Sequence, residues 1–375
     1  MSKGAYVGVN DIARKIKNGY IGVNDIARKI KKAYIGIGGV ARPFWSLETE
    51  LVYYGVITSL SSARDDLAAT NTDKYALFAG GEDYYASDRV DKYNKSLTRS
   101  SSTSLSAARW GLVAATANNT AFFAGGVGDN NVDKSNVDVY DSSLTHKTTK
   151  LSNSFRDLAS TNLGNYVLFA CGNILSAINS KIDIYDSSLT HTVLNASLAR
   201  KQAAATCVGN YAIIAGGALT AVTSNSDRVD VIDTKFTMQI IDPLSIARSY
   251  IGASSVGKYS MFGGGQTGST SQLSSAIDIY DELLVHTTPI SLSSSRRNPI
   301  TVSINGYVIF SGGHVSNVVD AYDASLTSIE IQNHDQVLQY HAATTIGNFA
   351  LIGGGRNKSA SSYTDVMYAY TVIEK

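Results

Sequence analysis

Three observations predict an all-β fold for this chain of 375 residues. Gly is abundant at 32 residues, Pro occurs only 4 times, and the 22 Tyr far outnumber the 2 Trp, a composition that suits short strands joined by tight turns. A phrase built around paired glycines recurs at a nearly constant interval, and alternating apolar and polar residues follow each copy. Together these patterns predict a seven-bladed β-propeller over residues 46–375, preceded by a short β-hairpin arm at residues 1–45.

The repeat is recognised by a strand that ends in two glycines. The pairs begin at Gly80, Gly125, Gly216, Gly264, Gly312 and Gly354, and one copy reads Cys171-Gly172. Their spacings are 45, 46, 45, 48, 48 and 42 residues. A period of this length, with the same strand pattern in every unit, indicates a series of small sheets that pack on one another.

Each repeat contains enough alternating segments for four strands. Val137–Thr145 and Ile182–Thr190 represent the segment that follows a glycine pair, and a run of small residues such as Ala203–Thr206 precedes one. We expect the small-residue strand to lie innermost, where neighbouring blades converge. Residue pairs that accept positive φ separate it from the glycine-pair strand and predict a hairpin there: Gly164-Asn165, Gly209-Asn210, Asn305-Gly306 and Gly347-Asn348.

The glycine pairs and their period resemble the kelch repeat over about 320 residues. This resemblance implies a propeller that works by binding. The sequence departs from the kelch pattern in one respect, because the outer strand of a kelch blade usually carries Trp. Trp45 and Trp110 are the only tryptophans here and neither lies in an outer strand. We expect Leu and Tyr to take its place at the blade edges.

The two ends of the repeat region are expected to complete one blade together. After Gly355 the chain supplies one convincing strand, Asp365–Val372, while Leu51–Leu60 precedes the first repeat as an unmatched outer strand. An open ring would expose sheet edges on its first and last blades. We therefore predict that residues 51–60 pair with the C-terminal blade.

Residues 1–45 differ from the rest of the chain in charge and in period. They contain nine basic and two acidic residues, a net charge of +7, whereas the remainder carries −6 within an overall charge of +1. A 14-residue unit repeats three times. Asn10-Asp11, Asn24-Asp25 and Gly38-Gly39 occupy one position of this unit and suit tight turns, which favours β-hairpins. Short helices capped by Asn are the alternative.

The arm is expected to attach the chain to other proteins. Hairpins of this size cannot bury a core alone, so they need copies of the chain or a protein partner. The phrase Ala33–Trp45 also resembles short repeats in structural proteins, such as tail or fibre proteins, of bacteriophages and prophages of Gram-positive bacteria. This resemblance implies a virion component, and nucleic acid is not an expected partner. The candidate assembly residues are Tyr6, Tyr20, Tyr34, Arg14, Arg28, Phe44 and Trp45.

Arginines recur just before the innermost strand of six repeats. They are Arg64, Arg109, Arg156, Arg200, Arg248 and Arg296. One interpretation is a ring of guanidinium groups around a channel mouth, which would bind an acidic or sugar ligand. The other is an ion pair repeated in each blade, although the sequence alone does not decide between them. The partners would be Asp91, Asp138, Asp183, Asp230, Asp278 and Asp320.

The segments that follow the glycine pairs vary in length and are rich in polar residues, as expected of recognition loops on a rigid scaffold. The candidate ligand contacts in these loops are Tyr84, Tyr85, Asn130 and His314. No metal site is predicted, because His146, His191 and His286 share one repeat position and belong to different blades. The run Asp129–Asp133 lacks the spaced carboxylates of a calcium loop.

The sequence contains no pattern typical of catalysis or of a cofactor. The glycine pairs end strands and do not precede helices, so they are not nucleotide loops, and no nucleophile elbow or supported Ser/His/Asp set is found. Cys171 and Cys207 lie in apolar runs, which predicts neither a disulfide framework nor a Tyr–Cys copper site. No signal-peptide pattern and no apolar run of membrane-spanning length is present.

These expectations combine into a non-enzymatic binding protein of a virion, made in the bacterial cytoplasm. The arm would dock to a phage or prophage particle, and the propeller loops would bind a host-surface glycan or protein. Two alternatives are a cytoplasmic kelch scaffold for protein–protein interaction and a glycan-acting propeller enzyme.

Overall fold

A computed structural model describes residues 6–375 apart from 10–11, 16–18, 24–25, 31, 38–39, 47, 176, 220–223, 269–271 and 315. Side chains are described from residue 48 onward, except at those positions and at 288 and 289. Within this part of the chain the regular structure consists of strands, apart from a 3-10 turn at Asp129–Asn131. The prediction of an all-β fold is confirmed.

The chain divides into two compact units, Met1–Val52 with Val372–Lys375 and Tyr53–Thr371. The predicted end of the arm, at residue 45, lies inside the first unit. In that unit the described strands pair antiparallel: Tyr6–Val9 with Ile12–Lys15, Gly19–Val23 with Ile26–Ile30, and Lys32–Ile37 with Val40–Ser46. The predicted turn pairs Asn10-Asp11, Asn24-Asp25 and Gly38-Gly39 lie outside the described residues, as do the side chains of Tyr6, Tyr20, Tyr34, Arg14, Arg28, Phe44 and Trp45.

Seven four-stranded antiparallel sheets follow one another among the described residues between Thr49 and Glu374. In spatial order, the strands of the first sheet are Ala68–Asn71, Ala76–Ala79, Val90–Tyr93 and Arg99–Ser101. Those of the second are Val113–Ala117, Thr120–Ala124, Asn136–Tyr140 and His146–Lys150. Those of the third are Ala159–Leu163, Tyr166–Ala170, Lys181–Asp186 and His191–Asn195. The fourth sheet consists of Ala204–Val208, Tyr211–Ala215, Val229–Asp233 and Met238–Ile240. The fifth consists of Gly252–Val256, Tyr259–Gly263, Ala276–Asp281 and His286–Ser291. The sixth consists of Ile300–Ile304, Tyr307–Ser311, Val319–Asp323 and Ser328–Ile329. The seventh is Ala342–Ile346, Phe349–Gly353, Met367–Glu374 and Thr49–Ile57.

The first strand of each sheet contacts the first strand of the next, and Ala342–Ile346 contacts Ala68–Asn71, so that the series returns to its start. This arrangement is β-propeller-like. Thr49–Ile57 lies beside Met367–Glu374 as the fourth strand of the seventh sheet, so a strand from before the repeats covers an edge that would otherwise be unpaired. The ring of Tyr53 in this strand lies 5.3 Å from that of Tyr370.

Apolar side chains fill the space between neighbouring sheets. Phe122 and Val139 of the second sheet pack with Val167 and Tyr185 of the third in one buried cluster. Equivalent clusters lie between the first and second, third and fourth, fourth and fifth, fifth and sixth, and seventh and first sheets. Because interiors are close-packed, each sheet depends on both neighbours for its core, which makes the series cooperative.

The glycine pairs mark a close approach between two segments of backbone. Gly126 has a φ of +97°, and a Cβ at this position would lie 2.6 Å from the carbonyl oxygen of Trp110. A side chain there would therefore meet both a strained backbone conformation and a backbone atom that cannot move independently. Gly126 allows the segment before the inner strand to lie directly against the glycine-pair strand.

Short backbone pairings join the segment before each inner strand to the loop after the glycine pair. Trp110 bridges to Val127 in this way, and Lys201 bridges to Ala218. We call the side of the larger unit where these two sets of segments meet the mouth face. The short strands on this face are Val127–Gly128 with Val132–Asp133, Asn173–Ile174 with Ala177–Ile178, and Leu338–Gln339 with Arg356–Asn357 and Ser362–Tyr363.

Candidate functional site

Five of the six candidate arginines form buried ion pairs. Arg64, Arg109, Arg200, Arg248 and Arg296 have no exposed side-chain surface. Their partners, in the same order, are Asp91, Asp138, Asp230, Asp278 and Asp320. The expectation that these arginines bind a ligand does not hold, because a guanidinium without exposed surface cannot reach one. The alternative interpretation, a repeated structural ion pair, describes these five.

Arg200 illustrates how the buried charge is compensated. Its guanidinium donates to Asp230 Oδ2 at 2.7 Å and to the carbonyl oxygens of Leu198 and Ile214, both at 3.1 Å. These bonds connect the segment before the inner strand with the second and third strands of the same sheet. Buried ion pairs are tolerated when such additional hydrogen bonds are present. Here they occupy Nη1 and Nη2, whereas Nε has no partner among the described residues. This side chain is therefore part of the architecture.

Arg156 is one residue out of register with the other five. The carbonyl oxygen of Phe155 accepts a hydrogen bond from Gly126, as that of Arg109 does from Gly81 in the preceding sheet. Phe155 thus occupies the repeat position, and the expected pair between Arg156 and Asp183 is replaced. Because Arg156 lies one residue after the repeat position, its side chain is directed away from the third strand of its sheet, which carries Asp183.

Arg156 instead lies on the mouth face, with 15% of its side chain exposed. It donates to Asp133 and, at 2.7 Å, to Asn131 Oδ1. Asp183 contacts His191 Nε2 at 2.7 Å, as Asp138 and Asp278 contact a histidine in their sheets, but it has no arginine partner among the described residues. Arg156 is therefore the one candidate arginine among these six with an orientation toward the loops, although its donors are already occupied by neighbouring residues.

A ring of seven equivalent backbone positions lines the mouth of the channel. Each lies two residues after the repeat position of the arginine, and each has a left-handed φ between +49° and +60°. We call these residues the mouth ring: Asp66, Gly111, Asp157, Gln202, Tyr250, Asn298 and Tyr340. A left-handed conformation is uncommon outside glycine, and such residues concentrate at functional sites.

Backbone hydrogen bonds connect neighbouring members of the mouth ring. The amide of Gly111 donates to the carbonyl oxygen of Asp66 at 2.8 Å, and that of Asn298 donates to Tyr250 at 2.8 Å. The amide of Asp66 donates to Tyr340 at 2.9 Å, which joins the first sheet to the seventh. The left-handed turn is what directs each amide toward the preceding sheet, so the side chains project around one common opening.

The mouth ring surrounds a cavity of about 460 Å³. Trp110 contributes a third aromatic side chain to its wall in addition to Tyr250 and Tyr340. Ligand sites in proteins fall in this range of volumes and combine apolar walls with a few polar groups. The cavity therefore has the size and composition of a site for a small ligand or for one unit of a larger one.

Burial raises the pKa of the acidic groups that line the cavity. Burial raises the pKa of Asp66 well above its ordinary value, and the nearby carboxylates add to the rise. Burial also raises the pKa of Asp157, which Lys201 opposes from 4.0 Å. The pKa of Tyr250 is raised to about 12 by burial and by Asp157. These groups are thus available for hydrogen bonding with the polar groups of a ligand.

His314 lies in a second cavity, of about 270 Å³, beside the mouth. Arg356, Lys358 and Tyr340 line it as well. Burial, Arg297 and Lys358 lower the pKa of His314, so the imidazole is mainly neutral at pH 7. The structure thus brings His314 to the mouth face, in a cationic pocket adjacent to the main cavity.

The remaining loop candidates are exposed and lie apart from both cavities. Tyr84 is 85% exposed and Tyr85 is 74% exposed, whereas Asn130 lies in the 3-10 turn with a φ of +60°. The ring of Tyr84 makes an edge contact with Tyr363 at 5.4 Å. These side chains are accessible to a large partner, but they do not converge with the mouth ring on one small ligand.

Sequence reasoning missed the mouth ring. Its signal is present in the repeats: the ring position carries five residue types, whereas the position after it is Leu in three copies, at Leu67, Leu112 and Leu158. The out-of-register Arg156 conceals this signal, because an alignment on the arginines compares Leu158 with Asp66 and shifts the third copy by one residue.

The comparisons with known proteins support the fold. No family model matches the chain, and no curated protein matches it. Among solved structures, one titled "Structure of YjhT" is similar with a TM-score of 0.57 and 12% sequence identity, over 73% of this chain and 98% of that one. At this identity the similarity concerns the fold alone. In the described part of the chain, no helix has the length and apolarity needed to cross a membrane.

Proposed function

We propose that this chain is a non-catalytic binding protein, in which a seven-bladed, kelch-like propeller holds a ligand at its mouth and the N-terminal arm attaches it to a larger assembly. The observation that carries this proposal is the contrast between scaffold and mouth ring. Five sheets repeat the same buried ion pair, yet seven equivalent mouth positions carry five different residue types. A purely architectural ring would have no reason to vary, whereas an asymmetric ligand needs a different contact from each blade.

The lining of the cavity favours a glycan as the ligand. Tyr250, Tyr340 and Trp110 offer flat apolar surfaces, and Asp157 and Gln202 offer short polar side chains between them. A sugar ring has apolar C–H faces and a rim of hydroxyl groups, so it matches both kinds of surface.

The setting in a phage or prophage particle rests on the sequence of the arm. Its phrase Ala33–Trp45 resembles repeats of phage structural proteins, and its charge of +7 differs from the −6 of the remainder. A basic segment with recurring aromatic residues suits an acidic protein surface. We therefore propose a virion-associated protein whose propeller meets the host surface.

One observation also favours a glycan-acting enzyme as a second candidate. Asp66 and Asp157 are carboxyl groups with raised pKa in the same cavity, an arrangement that general acid catalysis requires. Binding without turnover, in the experiment below, distinguishes the two candidates.

The ligand proposal is tested by glycan-array binding of the full chain, followed by calorimetry on each positive glycan. Tyr250→Asn keeps a residue that accepts left-handed φ and should weaken binding at least about tenfold. Tyr54→Ala removes a half-exposed aromatic side chain that does not line the cavity and is the matched control. Equal loss in both variants, or no bound glycan, would contradict the proposal, and release of a shorter glycan would favour the enzyme.

The particle proposal is tested separately. Purified particles from a strain that carries this gene should contain the chain by mass spectrometry. A chain that lacks residues 1–45 should stay folded and be lost from particles. Recovery of the truncated chain in particles at the wild-type level would show that the arm is not the attachment segment.

A further inference from the structure

Three carboxyl groups meet at the edge of the mouth cavity. Asp65 and Asp66 precede the inner strand of the first sheet, and Glu82 follows the glycine pair Gly80-Gly81. The backbones of Asp65 and Glu82 are joined by two hydrogen bonds of 2.9 and 3.0 Å. One carboxylate oxygen from each of the three residues lies within 4.8 Å of the other two. Main-chain pairing thus brings like charges together and holds them there.

The cluster lacks an internal partner for its most buried oxygen. Asp65 is only 3% exposed, and within the described residues its Oδ1 atom has no hydrogen-bond donor. A buried carboxylate without a donor is costly, and two further carboxylates next to it increase the cost. Native proteins rarely leave such a group unsatisfied, so the site indicates a positive charge in addition to that of Arg356, whose field reaches Asp65 and Glu82.

Arg356 does not fill this deficit. It acts on both Asp65 and Glu82. Among the described residues, however, no donor reaches the buried Oδ1 atom of Asp65.

We propose that Asp65, Asp66 and Glu82 bind a calcium ion. All three residues offer oxygen ligands, which select hard cations such as calcium and magnesium over transition metals. Calcium lies 2.3–2.6 Å from its oxygens, so two ligands of one ion are at most about 5 Å apart, as these oxygens are. Calcium also accepts irregular geometry and completes its shell with water, whereas magnesium demands a near-octahedral set.

The position of the ion would connect two parts of the mouth face. Asp66 belongs to the mouth ring, whereas Glu82 belongs to the loop that carries Tyr84 and Tyr85. An ion shared by the two segments would order this loop relative to the cavity. The inference depends only on the cluster itself and stands whether or not the cavity binds a glycan.

Calorimetry on the full chain, freed of metal with EDTA, tests the site with calcium chloride and magnesium chloride as probes at pH 7.5. We expect one calcium per chain and weaker binding of magnesium. Glu82→Gln and Asp66→Asn should each lower calcium affinity at least about tenfold, because the charge of the ligand set sets affinity. Asp83→Asn changes an exposed carboxylate next to Glu82 that is not part of the cluster, and it should bind calcium as the wild type does.

The affinity should also fall between pH 7.5 and 5.5, because protons compete for the same oxygens. Circular dichroism checks that each variant is folded. If neither variant folds, the wild type remains informative, since calcium should raise its melting temperature more than magnesium does. Absence of saturable calcium binding, tighter binding of magnesium, or equal loss in the Asp83→Asn control would overturn the proposal and leave a shared proton as the explanation of the cluster.

Discussion

Arg200 Nη1 lies 2.7 Å from Asp230 Oδ2, and neither side chain has surface exposed to solvent. The same relation recurs in four other sheets. The arginine pattern that resembled a ligand site is thus a structural contact, which holds the segment before the inner strand to its own sheet in five of the seven sheets. The consequences of this relation can be measured.

Removing one partner of the buried pair should destabilise the fold strongly. Arg200→Ala leaves the Asp230 carboxylate buried without its cation and should lower the free energy of unfolding by about 3–5 kcal/mol. Arg99→Ala is the matched control, because Arg99 also pairs with an aspartate, at 3.0 Å, but is 27% exposed. It should cost about 1 kcal/mol or less. Urea unfolding measures both, and similar losses would show that burial does not set the strength of these pairs.

The second glycine of a pair should not tolerate a methyl group. Gly126→Ala would bring a Cβ within 2.6 Å of the Trp110 carbonyl oxygen at a φ of +97°, so we expect a loss of about 3 kcal/mol or more. Gly164 has a φ of +55° with nothing within 4 Å of its Cβ position. Gly164→Ala should therefore cost only about 1–2 kcal/mol. Equal losses in thermal unfolding would mean that conformation alone, and not the close approach, requires Gly126.

A buried histidine should make the fold sensitive to acid. Burial lowers the pKa of His334 to about 3, whereas an unfolded chain has a value near 6.5. As pH falls below about 6.5 the unfolded state takes up a proton that the folded state does not. Stability should therefore decrease by up to about 1.4 kcal/mol per pH unit down to pH 3, and this contribution is absent above pH 6.5.

His334→Leu isolates this effect. Most other repeats have Leu at the equivalent position, as at Leu105, and neither ring nitrogen of His334 has a hydrogen-bond partner among the described residues. The variant should be at least as stable as the wild type at pH 8 and increasingly more stable toward pH 4. Parallel stability curves for the two proteins between pH 8 and 4 would show that His334 is not the titrating group.

Residues 49–60, which include the strand before the repeats, should be necessary for the stability of the ring. Residues 1–47 should not be. A chain that begins at residue 61 loses the fourth strand of the seventh sheet and the bond from Leu60 to the Asp365 carbonyl oxygen. We expect its melting temperature to fall by more than about 10 °C, since several kcal/mol of edge pairing and packing are lost. A chain that begins at residue 48 should melt within a few degrees of the full chain. Similar melting of the two truncated chains would mean that residues 49–60 do not close the ring.

Much of the fold could be predicted from the sequence because it depends on the conformational preferences of individual residues, and the same preferences recur in each repeat. Paired glycines require positive φ, small residues suit a crowded strand, and Gly164-Asn165 suits a tight turn, so the strand order follows from any single repeat. The choice of Leu51–Leu60 as a partner for the C-terminal sheet followed from the same reasoning, since that strand lacked a place in its own repeat.

The candidate site was harder to predict, because it belongs to the ring and not to any repeat. Arg64 and Asp66 are two residues apart and both polar, yet Arg64 turns inward to Asp91 while Asp66 lines the mouth. The difference arises from the left-handed φ of Asp66 and from Asp91, which the third strand of the same sheet brings within reach of Arg64.

The sequence by itself therefore determined the all-β class, the period and the positions where the backbone must turn, since these depend on each residue's own conformational preferences. Only the tertiary structure decided which polar residues are exposed. Asp66, Asp157 and Tyr250 come from three different sheets, and they share one cavity only because packing between neighbouring sheets returns the series to its start. This convergence depends on how all the sheets pack against one another, and no single segment of the sequence determines that packing.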